Sequence, residues 1–115
     1  MNESAGGPRF EPWELERTDR TVGVVTTNGR DGHPHAAPVG IHWEDGYLRF
    51  ETDSDSAKLR NIERDRRVSV LIYGQPKWGV LIKGTAEVMS KGTGREQAQI
   101  RVRPEKKYSW KRKEG

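Results

Sequence analysis

The residues best suited to binding a charged ligand lie where a predicted strand, residues 47–52, runs into a predicted helix. Between them stands a run of capping residues, Asp53-Ser54-Asp55-Ser56, and Lys58 falls in the first helical turn. The start of a capped helix presents backbone N–H groups and a positive dipole end, which suit a phosphate group, and Ser54 or Ser56 can add a hydroxyl donor. An ordinary cap beside a solvated lysine explains the same pattern, so both interpretations stay open here.

The histidines His33, His35 and His42 are the next candidates for chemistry. Pro34 interrupts the first pair, and no carboxylate stands at ligand spacing, so we predict polar strand-edge residues and no metal site. The sequence also contains no glycine-rich nucleotide loop and no pair of carboxylates at catalytic spacing. The catalytic residues therefore remain unknown, and any redox chemistry would come from a bound cofactor.

The carboxyl-terminal end is strongly basic, whereas the first 99 residues are close to neutral. Its basic residues are Arg101, Arg103, Lys106, Lys107, Lys111, Arg112 and Lys113. Together with Tyr108 and Trp110, they could bind a nucleic-acid strand through its phosphates and bases. A strand with one solvated basic face, and with Ile100, Val102 and both aromatic rings buried, explains the same alternation.

Composition limits the chain to one domain. Of 115 residues, 33% are charged and 31% hydrophobic, and the net charge is +4. A domain this small and this poor in apolar residues often gains burial from a cofactor or from a second copy of itself. There is no cysteine, which excludes disulfides and thiolate chemistry, and no apolar stretch approaches the ~18 residues of a membrane span. We predict a cytoplasmic protein without a membrane segment.

Hydrophobic periodicity predicts a mainly β fold, a six-stranded antiparallel barrel with one or two short helices. The predicted helices are residues 11–18 and 57–65, and the predicted strands are residues 21–27, 33–43, 47–52, 67–73, 78–89 and 97–103, with 107–112 continuing the last. Pro34 and Pro38 indicate an edge position or a bulge, and Gly84 indicates a bulge or a bend. We expect a flexible N-terminus over residues 1–10, the barrel domain over 11–112 and a basic end over 113–115.

Three stretches carry a family resemblance: NGRDGHPHAAPV at 28–39, WEDGYLRF at 43–50 and SAKLRNIERDRRVS at 56–69. With GTAEV at 84–88, Arg103-Pro104 and Trp110, they resemble in order and spacing the pyridoxamine 5'-phosphate oxidase-like split β-barrel family. The likeness is greatest to its flavin/deazaflavin-dependent oxidoreductase branch. It implies a homodimer that binds FMN or a deazaflavin of the coenzyme F-420 type between subunits and transfers hydride to or from a small molecule.

The resemblance also implies which residues bind the cofactor. The ring would lie against the backbone of Pro38, Val39, Gly40, Ile41 and His42. The phosphate would meet Thr52, Ser56 and Lys58, with Asn61 nearby, and Trp78 would come from the partner subunit.

Two departures from the family pattern bear on function. Ala57 replaces an arginine of the family motif, and the preceding strand offers His42 where the family has Arg and Lys. Fewer cations imply weaker flavin binding or a preference for the deazaflavin. The segment 89–100 is also short, which implies that part of the substrate pocket is missing. Two alternatives stay open: a non-catalytic cofactor-binding protein of the same fold, and a small barrel that binds nucleic acid through residues 101–113.

Overall fold

The computed structural model describes residues 7–112. Their elements are, in chain order, α1 (Pro12–Thr18), β1 (Thr21–Asn28), β2 (Pro34–Glu44), β3 (Tyr47–Asp53), α2 (Ala57–Arg64), β4 (Arg67–Gly74), β5 (Trp78–Ser90) and β6 (Gln97–Lys111). The strands form a closed antiparallel barrel in the order β1-β2-β3-β6-β5-β4. This confirms the predicted mainly β, six-stranded barrel with two short helices. No helix in this part of the chain is long and apolar enough to cross a membrane.

The barrel wall is split between β2 and β3. β2 pairs with β1 along residues 34–41, but with β3 only through residues 42–44. Extending the β2–β3 register would set Val39 opposite Thr52, yet the two strands diverge before those residues pair. The following helix, α2, buries Leu59 and Ile62 in the core.

The split leaves one edge of β2 unpaired. The Gly29 N–H donates to the His33 carbonyl and the Trp43 N–H to Asp19, so backbone groups of odd-numbered residues face β1 and its flanking segments. Because these directions alternate along a strand, the even-numbered residues face the split. Pro34 and Pro38 are even-numbered, so the N–H groups that proline lacks would have faced the split, where no ladder hydrogen bond forms. This confirms the edge position that the prolines predicted.

The long β5–β6 hairpin contains a bulge at Gly84, as predicted. The register shifts between Lys83 and Gly84, and a Cβ on Gly84 would stand 2.2 Å from the Arg103 carbonyl oxygen. Beyond the bulge, side chains of β6 that would otherwise point into the barrel point outward, because one extra residue reverses the alternation of the strand. The expectation that Tyr108 and Trp110 are buried is therefore wrong: their side chains are 50% and 49% exposed.

Helix α1 closes one end of the barrel with a buried carboxylate that the sequence did not indicate. Glu14 is fully buried, and its Oε1 accepts hydrogen bonds from Lys107 Nζ at 2.7 Å and from the Glu11 N–H at 2.8 Å. Burial raises the pKa of Glu14, but hydrogen bonds from Lys107, Ser109 and the Glu11 N–H, with the Lys107 charge, outweigh it and lower the pKa below its ordinary value. This end of the barrel is held together by an internal ion pair.

Aromatic side chains also pack at this end of the barrel. Phe10, which the sequence assigns to the N-terminal segment, is buried and meets Trp43 edge to face at 4.9 Å between ring centroids. The Trp43 indole N–H donates to the Thr18 hydroxyl at 2.8 Å. The last residues before α1 thus belong to the packed barrel.

Candidate functional site

The start of α2 offers several hydrogen-bond donors to a ligand. Ser56 is the N-cap, and its Oγ accepts from the Leu59 N–H at 3.1 Å and from the Thr52 hydroxyl at 3.0 Å. Within residues 7–112, the Ser56 hydroxyl proton has no acceptor, and the N–H groups of Ala57 and Lys58 have no partner. The half-buried Lys58 side chain stands in the same turn. Thr52, Ser56 and Lys58, predicted as phosphate contacts, therefore lie together.

Of the two acidic side chains beside this helix, Asp53 is paired elsewhere, whereas the exposed Asp55 carboxylate has no hydrogen-bond or ion-pair partner within residues 7–112. Asp53 accepts from Gln97 Nε2 at 2.6 Å and lies 3.9 Å from Arg95 Nε, on the side of β6. The Ser54 hydroxyl donates to the Glu96 carbonyl at 2.7 Å and accepts from the Gly92 N–H at 2.9 Å. Ser54 thus fixes the loop before β6, which leaves Ser56 as the hydroxyl donor of this pair.

Asn61 is buried at the junction of α2 and β1. Its Nδ2 donates to Thr27 Oγ1 at 3.0 Å, and its Oδ1 accepts from Arg64 at 2.8 Å. The amide thereby anchors the helix to the barrel wall. Half of the hydrogen-bonding capacity of this amide is thus used inside the chain.

Across the split, the predicted ring-binding segment of β2 presents a bare backbone. Val39 and Ile41 are buried in the barrel, whereas Pro38, Gly40 and His42 are exposed on the outer face. By the alternation of β2, the carbonyl of Pro38 and both backbone groups of Gly40 point into the split, while His42 pairs with β3. A Cβ on Gly40 would meet nothing within 4 Å. A flat group can therefore approach this backbone closely.

A shallow cavity of about 540 Å³ adjoins this segment. It is lined by Arg20, Thr21, Val22, Gly40, Ile41 and His42. Val22 is 63% exposed, which gives the cavity an apolar wall beside the open backbone.

Trp78 lies apart from these groups within one chain, since β4 and β1 separate its strand from β2. Its ring covers Gly74, and the Arg17 guanidinium stands 5.5 Å from the ring centroid. A cavity of about 340 Å³ between Trp78, Tyr73 and Trp110 opens on the outer face. In a single chain, therefore, the predicted residues fall into two separate places.

The outer face of the sheet carries a row of apolar residues that no local sequence pattern indicates. The strand registers place five residues side by side across β2, β1, β4, β5 and β6: Pro38, Val24, Leu71, Leu81 and Tyr108. Val22 and Tyr73 lie beyond this row on the same face, and Tyr73 is 66% exposed. We call this surface the apolar row. An exposed apolar band of this breadth is typical of an interaction surface.

The histidines lie at the surface, as predicted. His33 Nδ1 stands 3.1 Å from Asp31 Oδ2, with the two side chains 86% and 72% exposed. The hydrogen bond from the His33 backbone N–H, followed by the contact with its ring, lowers the pKa of Asp31. This pair stabilises the β1–β2 turn.

A six-stranded barrel split beside a capped helix defines the split β-barrel class of proteins. Residues 14–114 match the family model described as pyridoxamine 5'-phosphate oxidase. The chain belongs to this family, as its motifs predicted.

Solved structures with the same fold carry different functional names. A conserved hypothetical protein from Mycobacterium tuberculosis is 22% identical with a TM-score of 0.76, covering 96% of this chain and 89% of that one. An F420 reductase is 18% identical with a TM-score of 0.74, covering 87% and 98%. A heme storage protein from Vibrio cholerae is 13% identical with a TM-score of 0.72, covering 88% and 94%. At these identities the likeness shows the fold alone.

Proposed function

We propose that this chain forms a homodimeric oxidoreductase that binds FMN or a deazaflavin of the coenzyme F-420 type at the split. One observation carries the proposal: the unpaired backbone of β2 and the unpartnered donors of α2 lie on the two sides of the same opening. Family membership supports it, and an F420 reductase shares the fold.

The start of α2 fits the phosphate of such a cofactor. The N–H groups of Ala57 and Lys58, the Ser56 hydroxyl and the Lys58 ammonium can all donate to its oxygens, and the helix dipole adds to their effect. Only one side-chain cation takes part, because Ala57 carries no charge. We therefore expect tighter binding of a deazaflavin than of FMN, whose phosphate dianion requires more positive charge.

The β2 segment fits the ring. The Gly40 N–H can donate to a ring acceptor, and the Pro38 and Gly40 carbonyls can accept from a ring N–H, which fixes the orientation of the ring without any charged side chain. When bound, the cofactor supplies the hydride transfer, and the protein provides orientation and a shaped pocket. Val22 and Pro38 would keep water from the adjoining face of the ring.

The apolar row is the surface on which a second copy would pack. Exposed Val22 and Tyr73 would be covered there, which compensates for the small apolar content of one chain. A partner on this face would also bring its own Trp78 and Trp110 towards the open β2 edge, uniting the two parts of the predicted site. The homodimer is thus part of the cofactor proposal.

Titration of purified protein with FMN and with a coenzyme F-420 type deazaflavin, followed by cofactor fluorescence, tests the binding. We expect saturable binding of one cofactor per chain, tighter for the deazaflavin. No binding of either at micromolar concentration would overturn the proposal, and tight binding of heme alone would instead favour a role like that of the heme storage protein.

Turnover is tested separately from binding. Protein loaded with reduced cofactor is mixed with small-molecule acceptors, and absorbance reports its oxidation. Acceleration over free cofactor supports an oxidoreductase. Its absence across a broad panel of acceptors supports the alternative of a non-catalytic cofactor-binding protein.

The dimer is tested by light scattering on wild type and Tyr73→Glu. Because this side chain is exposed, the charge should leave the barrel folded while opposing burial of the apolar row. We expect a dimer for wild type and a monomer with weakened cofactor binding for the variant. A monomeric wild type would contradict this part of the proposal.

A further inference from the structure

A second groove lies on the outer face, beside the β1–β2 turn and the end of α2, and away from the start of that helix. It has a volume of about 720 Å³, and its lining includes four cationic residues, Arg30, Arg67, Lys83 and Lys106. The strand registers set Thr26, Ser69, Lys83 and Lys106 in one line across β1, β4, β5 and β6. Two hydroxyls and two ammonium groups thus share one row, next to the apolar row.

The two carboxylates in the lining are already paired. Asp65 is held by Arg67, whose NH2 lies 2.8 Å from Oδ2, and this hydrogen bond lowers the pKa of Asp65. Glu105 accepts from Thr85 Oγ1 at 2.8 Å and pairs with Arg103 at 3.1 Å. Both acids are therefore balanced by their own arginines.

Three cations remain without a carboxylate partner among residues 7–112: Arg30, Lys83 and Lys106. Lys83 and Lys106 face each other directly on paired strands, an arrangement that destabilises a sheet because like charges repel. The Lys83 ammonium instead lies 5.6 Å from the centre of the Tyr108 ring. Both lysines lie at the floor of an open groove, where a bound anion would relieve the repulsion between them.

We propose that this groove binds a small polyanion of the diphosphate or triphosphate class. Arg30, Lys83 and Lys106 would supply the charge, and the Thr26 and Ser69 hydroxyls would donate to oxygens between them. Three unpaired cations match an anion of similar charge, more than a single phosphate carries. The site is separate from the start of α2, so it does not depend on the proposed cofactor.

Inorganic triphosphate, diphosphate and phosphate are titrated into the full chain by calorimetry at low ionic strength. We expect saturable binding that is tightest for triphosphate and weakens as salt is added, because the groove is open to solvent. Lys83→Gln and Lys106→Gln should each weaken triphosphate binding about tenfold, the effect of losing one charge-assisted contact. Without the anion, either variant should melt no lower than wild type, since it removes a repulsion.

Two matched variants locate the binding. Lys77→Gln removes the same charge from the β4–β5 turn, and Lys58→Gln removes it from the start of α2. We expect triphosphate affinity unchanged in Lys77→Gln. Because Lys58 belongs to the proposed cofactor site, which can itself take a phosphate group, Lys58→Gln is compared only with Lys83→Gln, and we expect the larger loss of triphosphate affinity in Lys83→Gln. If Lys77→Gln weakens triphosphate binding as much as Lys83→Gln does, the attraction is nonspecific and the proposal is overturned. If Lys58→Gln alone weakens it, the anion binds at α2 and the proposal is also overturned. Absence of triphosphate binding would also overturn the proposal, even if the chain bound single-stranded DNA.

Discussion

The two helices close the barrel in opposite ways. At α1, the Glu11–Glu14 capping box satisfies the helix start, and Glu14 is buried against Lys107. At α2, Ser56 caps one N–H, and the N–H groups of Ala57 and Lys58 remain without partners in the described chain. At α1 the buried carboxylate is paired through Oε1 and stabilises the fold, although its Oε2 has no partner in the described chain, whereas the open donors of α2 stand beside a split sheet and can bind a ligand. The difference separates the end that holds the fold from the end that we propose binds the cofactor.

Breaking the α1 end should have the largest effect. Glu14→Gln leaves Lys107, which is 16% exposed, without its buried counter-charge. We expect a loss of about 3 kcal/mol in the free energy of unfolding, the low end for a broken buried ion pair, because Lys107 keeps its bond to the Arg9 carbonyl. Chemical denaturation measures it.

Glu16→Gln is the matched control, since Glu16 is exposed on the same helix. It should change the free energy of unfolding by less than about 0.5 kcal/mol. Similar losses in the two variants would show that the buried pair has no special role.

Changing the α2 end should reduce binding and leave stability nearly intact. Lys58→Ala removes the only side-chain cation of the proposed phosphate site and should weaken cofactor binding by about 1.5–3 kcal/mol. Fluorescence titration measures the affinity. Lys91→Ala, which removes an exposed lysine paired with Glu63, should leave the affinity unchanged, and an equal loss there would contradict the assignment.

At Gly40 the effects on stability and binding should have opposite signs. Gly40→Ala meets no neighbour in the chain, so it should raise the free energy of unfolding by roughly 0.5 kcal/mol by restricting the unfolded chain. The added methyl group would stand where the ring approaches and should weaken cofactor binding by about 1 kcal/mol. Parallel measurements of unfolding and affinity check this, and tighter binding would contradict the ring position.

The smallest effect is the pH dependence of the α1 end. The pKa of Glu14 is lowered in the folded protein, so its stabilising contribution is present above its unfolded pKa of about 4.3 and is lost as pH falls through the lower folded value. The difference in unfolding free energy between wild type and Glu14→Gln should therefore narrow below about pH 4. A difference that widens on acidification would contradict the lowered pKa.

Local patterns in the sequence predicted most of the elements. Alternation of apolar residues located the strands, Ser56 located the start of α2, and Gly84 located the bulge. Thr52, Ser56 and Lys58 were predicted as one group and lie together, because they are joined by a single strand-to-helix turn. Cofactor binding by these residues stays a prediction.

Contacts between distant segments were harder to predict. No local pattern marks Glu14 as buried, and its burial depends on Lys107, 93 residues later. The side on which Tyr108 and Trp110 lie depends on the register shift at Gly84, which one strand's own pattern does not reveal.

The sequence by itself determined the class of fold and the order of the elements, because strand periodicity, turn residues and caps are local properties; the family followed from the resemblance of its motifs and from the match to the family model. Only the tertiary structure decided which polar groups stay free. The split leaves Gly40 on an unpaired edge of β2, and the strand registers together with the β1–β2 turn bring Lys83 and Lys106 into one groove with Arg30. Such groupings depend on long-range pairing, in which a shift of one residue turns every side chain to the opposite face.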